Sequence, residues 1–264
     1  MSTEPVPPRP DAIQPAPLAP PPSFVGMRRL GARPSATWRW YEALGVYLGA
    51  FFLAAFAALP VISILGDDDF GGLVATIVAA LLIVAILLLW LRHSHPRWWE
   101  ILGPPARWWP EIRAGVVFGI GLYPAVVFIV GLILVVLLRW LSGDSVQAPE
   151  QVSQGLSAAG IAVMVAYATV VAPLGEELFF RGILFRSIRD RIGFWPGALG
   201  SGVAFGLIHY IPGPALDSVL LMSVMVFTGI GLAYIYERRG TIVAPMAAHV
   251  TFNIIGLTLI YGLR

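Results

Sequence analysis

Glu176, Glu177 and Arg181 fall within the run Glu176-Glu177-Leu178-Phe179-Phe180-Arg181, inside a long apolar stretch. Two later apolar segments each carry a histidine. His209 follows Phe205 by four residues, and His249 precedes Asn253 by four. Ionisable groups at membrane depth are costly and are functional suspects by default. The set is chemically coherent: two carboxylates, two imidazoles, an amide and a guanidinium. A carboxylate desolvated in an apolar cavity holds a proton more readily, which suits a general base acting on water. Imidazole and amide donors can stabilise the oxyanion of an attacked carbonyl. Spacing forces no serine or threonine into the same layer, so water is a better candidate nucleophile than a side chain. Glu176, His209 and His249 are also a two-histidine, one-carboxylate set that could hold Zn²⁺ with a position left open for water. The residues alone leave both routes open.

Helical spacing separates the two glutamates. Adjacent side chains point about 100° apart, whereas Glu177 and Arg181 share a face. An ion pair between them makes a buried charge tolerable and leaves Glu176 projecting elsewhere, available for chemistry. His249 and Asn253 can face one cavity, and Phe205 can wall the pocket of His209. Each feature also has a plain reading. A single membrane histidine can be a helix contact, a single glutamate can be the ion site of a transporter, and Glu177–Arg181 can be purely structural. His93 and His95 precede Pro96 and read as solvated loop residues. Gly202 and Gly206 form a GxxxG pattern suited to close helix packing within the fold. The argument for catalysis rests on the coincidence of all these groups.

The elements that must position them are membrane spans. Of the 264 residues, 58% are hydrophobic and only 12% charged, far from a soluble mixture. A span needs about 20 predominantly apolar residues. The runs predict spans near 43–65, 71–91, 114–138, 157–188, 197–214, 216–236 and 241–262. The fold class is therefore all-α, a polytopic bundle of about seven transmembrane helices in the lipid bilayer of a cell membrane. Residues 1–40 read as a disordered, proline-rich and basic tail, 41–154 as amino-terminal membrane helices with a tryptophan-rich interfacial loop, and 155–264 as the catalytic core.

Arginine marks alternate loops. Arg28, Arg29, Arg33 and Arg39 precede the first span, Arg92, Arg97, Arg107 and Arg113 follow the second, Arg186, Arg189 and Arg191 the fourth, and Arg238 and Arg239 the sixth. Arg139 stands after the third beside Asp144 and Glu150. By the positive-inside rule the amino terminus is cytoplasmic. The nine tryptophans fall at or beside predicted span ends, as an aromatic belt does. With 1.5 Å of rise per residue, Glu176, His209 and Asn253 each lie about 18 Å from the arginine-bearing face, and His249 about 12 Å. The net charge of +2 is small, and the arginines are spread among loops, so nucleic acid is not an expected partner. Cysteine is absent, which removes disulfide and thiolate chemistry. Oligomeric state is not fixed by the sequence.

The pattern Glu176-Glu177-x-x-x-Arg181, Phe205-x-x-x-His209 and His249-x-x-x-Asn253 resembles the signature of the CPBP intramembrane protease family, which includes type II CAAX-prenyl endopeptidases and bacteriocin self-immunity proteins. The resemblance covers roughly residues 155–262. It implies a helical membrane endopeptidase, acting on a membrane-associated protein or peptide, with a cavity open toward the cytoplasm. It makes Glu176 the base that activates water and His209 and His249 catalytic or metal-ligating. Asn253 then helps hold the oxyanion, with Glu177 and Arg181 in support. Members are commonly labelled metalloproteases, and a metal-free glutamate mechanism is equally compatible. The alternative is a non-catalytic membrane scaffold or immunity factor on the same fold. A transporter using Glu176 as its proton site ranks below both.

Overall fold

The computed structural model describes residues 33–66, 68–147, 149 and 156–261. The proline-rich segment 1–26 lies outside the described residues. Helices run through Trp40–Leu65 (α1), Asp69–Ser94 (α2) and Trp98–Leu102 (α3). Two 35-residue helices follow, Trp108–Ser142 (α4) and Ala158–Ile192 (α5). Phe194–Leu207 (α6), Ala215–Arg239 (α7) and Val243–Tyr261 (α8) complete the bundle, and no strand occurs among the described residues. The protein is a multi-pass integral membrane protein.

Apolar sequence alone does not fix these helices, because lipid is as apolar as leucine. What packs them is small residues facing inward. In α1 the buried positions are Ala43, Ala50, Ala54 and Ala58, while Phe52, Phe56 and Leu59 face outward. The same device holds α8 against α4. A Cβ added at Gly119 would stand 2.6 Å from the Ala248 carbonyl oxygen and 2.8 Å from Thr251 Cβ. Helix starts are capped where the sequence supplies an oxygen. Asp68 accepts from the Gly71 amide at 2.8 Å, and Ser157 from the Gly160 amide at 3.1 Å, satisfying otherwise orphaned donors.

Six helices are long and apolar enough to cross a membrane: α1, α2, α4, α5, α7 and α8. The expected seventh crossing, 197–214, is shorter than predicted. Its helix is the 14-residue α6, about 21 Å long against a hydrocarbon core of about 30 Å. Pro212 and Pro214 explain the early stop, since residues before proline resist the helical conformation. His209 accordingly lies on the turn just past α6 rather than inside a span. The GxxxG pattern of α6 packs within the fold. A Cβ at Gly202 would meet Ile230 Cγ1 at 3.0 Å, and one at Gly206 would meet the Met222 carbonyl oxygen at 2.6 Å. α6 and α7 are thus antiparallel neighbours.

Two other expectations need correction. The chain is placed well before residue 41: Trp38 is 3% exposed, its indole donates to the Ile183 carbonyl at 3.1 Å, and the Ala36 amide donates to Asp190 at 2.9 Å. His95 is buried rather than solvated, and its Nδ1 accepts from the Arg97 amide at 3.0 Å. Burial, with the Arg97 charge beside it, pushes the His95 imidazole below its usual range. His93 is exposed, as expected.

Candidate active site

α5 is not a uniform α-helix. It widens into π-helix at Tyr167–Val171 and again at Glu177–Phe185, a form that often marks functional sites. Pro173, inside α5, has no amide to donate and clashes with the preceding turn. The widened second stretch turns every residue from Glu177 to Phe185 into the protein interior. Glu176 is the last residue before it.

The two glutamates have different surroundings. Glu177 is fully buried and pairs with Arg181 at 3.1 Å, as the spacing predicts. It also holds His249, whose Nδ1 lies 2.8 Å from Glu177 Oε1. A carboxylate accepts here, so Nδ1 carries a proton; in the neutral imidazole Nε2 is then the lone-pair nitrogen. That Nε2 faces Glu176 Oε2 at 3.7 Å. Glu176 Oε2 is buried and has no hydrogen-bond partner within the protein. Sequence spacing finds the Glu177–Arg181 pair but not the Glu177–His249 contact, which joins residues 72 apart in the chain.

Arg181 is itself buried. It donates to the Gly229 carbonyl at 3.2 Å and lies over the Phe205 ring at 4.6 Å, a cation–π contact. Phe205 also packs against His209 at 4.7 Å and His249 at 5.7 Å between ring centroids. It walls both histidines. His209 Nδ1 lies 2.7 Å from the Phe205 carbonyl. The carbonyl cannot donate, so Nδ1 is protonated; in the neutral imidazole Nε2 is then the acceptor. Asn253 donates through Nδ2 to the Ala168 carbonyl at 2.7 Å, in the first π segment, and keeps a second Nδ2 hydrogen.

Glu176, His209, His249 and Asn253, with Phe205, line one cavity of about 1130 Å³. Glu177 and Arg181 stand behind its wall. Among the described residues, no three histidine, aspartate and glutamate side chains are gathered as a metal-ligand set. Glu176, His209 and His249 share the cavity, with His249 Nε2 3.7 Å from Glu176 Oε2.

Two tyrosines escape the motif reading. Tyr47 of α1 and Tyr167 of α5 line the cavity beside Glu176, near enough to feel its charge. Tyr47 stacks on Phe179 with ring centroids 4.0 Å apart. The available signal was their depth, roughly 10–14 Å inside their helices, away from the interface where tyrosine usually sits.

The cavity does not extend toward the arginine-bearing ends of the helices. Residues 177–185 are buried without a break, and Arg186, Arg189, Asp190 and Glu237 interlock below them, with Arg186–Asp190 at 2.9 Å and Arg189–Asp190 at 3.1 Å. The lining instead continues through Thr76, Leu132, Leu220 and Ile260, toward the opposite ends. On the arginine-bearing side the cavity is floored by Phe179, Phe180 and Phe185, all buried.

Residues 158–255 match the family model described as type II CAAX prenyl endopeptidase Rce1-like. The chain is 32% identical over 93 residues to YdiL of Bacillus subtilis (strain 168), a protein assigned by name to the membrane peptidases. That match covers 35% of this chain and 35% of YdiL, so it spans about a third of the relative's length. No solved structure matches the chain. All six motif residues and Phe205 lie inside the matched segment, and residues 158–255 form a membrane domain of the CPBP family.

Proposed function

We propose that the protein is an intramembrane endopeptidase whose nucleophile is a water activated by Glu176. The observation that carries this reading is the place of Glu176 on the cavity wall, its Oε2 3.7 Å from the Nε2 of a histidine whose far nitrogen is held by Glu177.

The steps balance within the chain's own groups. Glu176 takes a proton from water as the oxygen attacks the carbonyl carbon of the scissile amide. His209, with Nε2 as acceptor, orients the same water through its other hydrogen. The carbonyl oxygen becomes an oxyanion, stabilised by the spare Nδ2 hydrogen of Asn253. Protonated Glu176 then gives its proton to the amide nitrogen, the C–N bond breaks, and a carboxylic acid and an amine leave. Between the two transfers the proton stays on Glu176, which faces His249 Nε2 across 3.7 Å. Glu177 and Arg181 position His249 without touching substrate. The substrate is a membrane-associated protein or peptide.

Glu176→Gln is the deciding variant. It should lower cleavage of an apolar peptide pool in liposomes by about 10³-fold, within the usual range for a general base, with an unchanged unfolding temperature. Normal turnover by a folded Glu176→Gln protein would remove this mechanism.

A further inference from the structure

From the direction of the cavity we infer that the site is reached from the non-cytoplasmic leaflet, so that its substrate is an apolar peptide segment embedded in or anchored to that leaflet. The inference rests on the peptidase reading for its substrate, but not for its sidedness.

Two independent observations meet here. The first is charge. α1, α4 and α6 begin, and α2, α5 and α7 end, at faces carrying arginine, whereas Arg139 is the one arginine at the opposite ends among the described residues. Arginine in short loops stays in the cytoplasm. The second is shape. From Glu176 the cavity runs away from the arginines to Leu132 and Ile260, which are 63% and 36% exposed. On the arginine side nine consecutive buried residues and a charged lock close it. A cytoplasmic peptide would have to cross that floor. A segment in the other leaflet meets an apolar passage that ends at Glu176. The passage walls are aliphatic and aromatic, so they accept side chains of a membrane segment and not a charged loop. The carboxylate, imidazoles and amide that line the cavity stand at the inner end, which places hydrolysis there.

The absence of cysteine allows single-cysteine labelling without background. Leu132→Cys at the cavity rim, Asp144→Cys in the loop after α4, and Trp109→Cys at the arginine end would be treated with a membrane-impermeant maleimide in intact bacterial cells and after permeabilisation. The expected result is at least tenfold stronger labelling of Leu132→Cys and Asp144→Cys than of Trp109→Cys in intact cells, with Trp109→Cys reacting after permeabilisation. The reverse pattern overturns the inference, as does a Leu132→Cys that stays unlabelled under both conditions while Asp144→Cys reacts from outside. For the substrate class, an acylated fluorogenic apolar peptide would be confined to one leaflet of vesicles whose protein orientation the labelling has fixed. Cleavage from the non-cytoplasmic leaflet alone is expected, and cleavage from the cytoplasmic leaflet alone overturns the inference. Labelling requires no turnover, so an inactive protein with outward labelling removes the peptidase reading and keeps the sidedness, and an active protein with inward labelling does the opposite.

Discussion

The two halves of the bundle are built from the same helices but solve opposite problems. On the arginine side, Glu177 to Phe185 pack without a gap, and Arg186, Asp190, Arg189, Glu237, Arg239 and Glu111 pair in a charged layer. On the other side the helices splay around a cavity with one unpartnered carboxylate oxygen at its inner end. The closed half joins its charges in ion pairs, while in the open half Glu176 faces the cavity and the His249 imidazole across 3.7 Å. A site that must take a proton from water needs both: a rigid floor to aim the groups, and a hollow in which their affinities are not already satisfied.

The sharpest way to break this contrast is to remove the charge from the open half. Glu176→Gln should cost about 10³-fold in turnover and little in stability. Glu177→Gln sits one residue away on the closed side and should behave differently. It keeps a hydrogen-bonding group for His249 but loses the charge that fixes the imidazole, so turnover should fall by on the order of 10²-fold. It should also destabilise the fold, because Arg181 is left without its carboxylate. Arg181→Met is the converse. An unpaired buried charge costs about 3–5 kcal/mol, so Arg181→Met should unfold at a markedly lower temperature in detergent. The double variant Arg181→Met with Glu177→Gln should recover most of that loss, and an additive loss would show that the pair does not act as a unit.

Much of this was legible beforehand. The apolar runs give the bundle, and four-residue spacing gives the Glu177–Arg181 pair and the shared cavity of His249 and Asn253. Residues that meet across the chain were not legible. The Glu177–His249 contact, Asp190 receiving the Ala36 amide, and Tyr47 from α1 beside Glu176 each depend on packing that no local pattern encodes. The direction of the cavity was hidden for a related reason. Apart from Glu177 and Arg181, residues 177–185 read like a lipid-facing run, and only the tertiary structure shows that all nine are buried. α6 was misjudged because hydropathy continues beyond the residue at which the prolines end the helix.

Smaller effects refine the contrast. Tyr47→Phe removes a cavity phenol while keeping the ring that stacks on Phe179, so turnover should change by less than about tenfold, with no change in unfolding temperature. If the variant instead matched Glu176→Gln, Tyr47 would belong among the reacting groups. The smallest effect is at His95. Burial favours its neutral form in the folded protein, while the unfolded chain takes a proton near the ordinary 6.5. Stability should therefore be lost as pH falls through that value toward the depressed one, and be unaffected by this group above it. His95→Asn should flatten that part of the unfolding curve.

The shortness of α6 also has a consequence for the surrounding lipid. Leu199, Val203 and Leu207 face outward along a helix of 14 residues, so this flank presents a hydrophobic height about 9 Å less than an average bilayer core. Lipid tails bordering it must compress or tilt, at fractions of a kcal/mol per ångström. A bilayer matched to this flank should be thinner beside the turn that carries His209. Acyl chain length thus becomes a control on the proposed peptidase: turnover in vesicles should fall as the host lipids lengthen, without any change in the protein's own sequence.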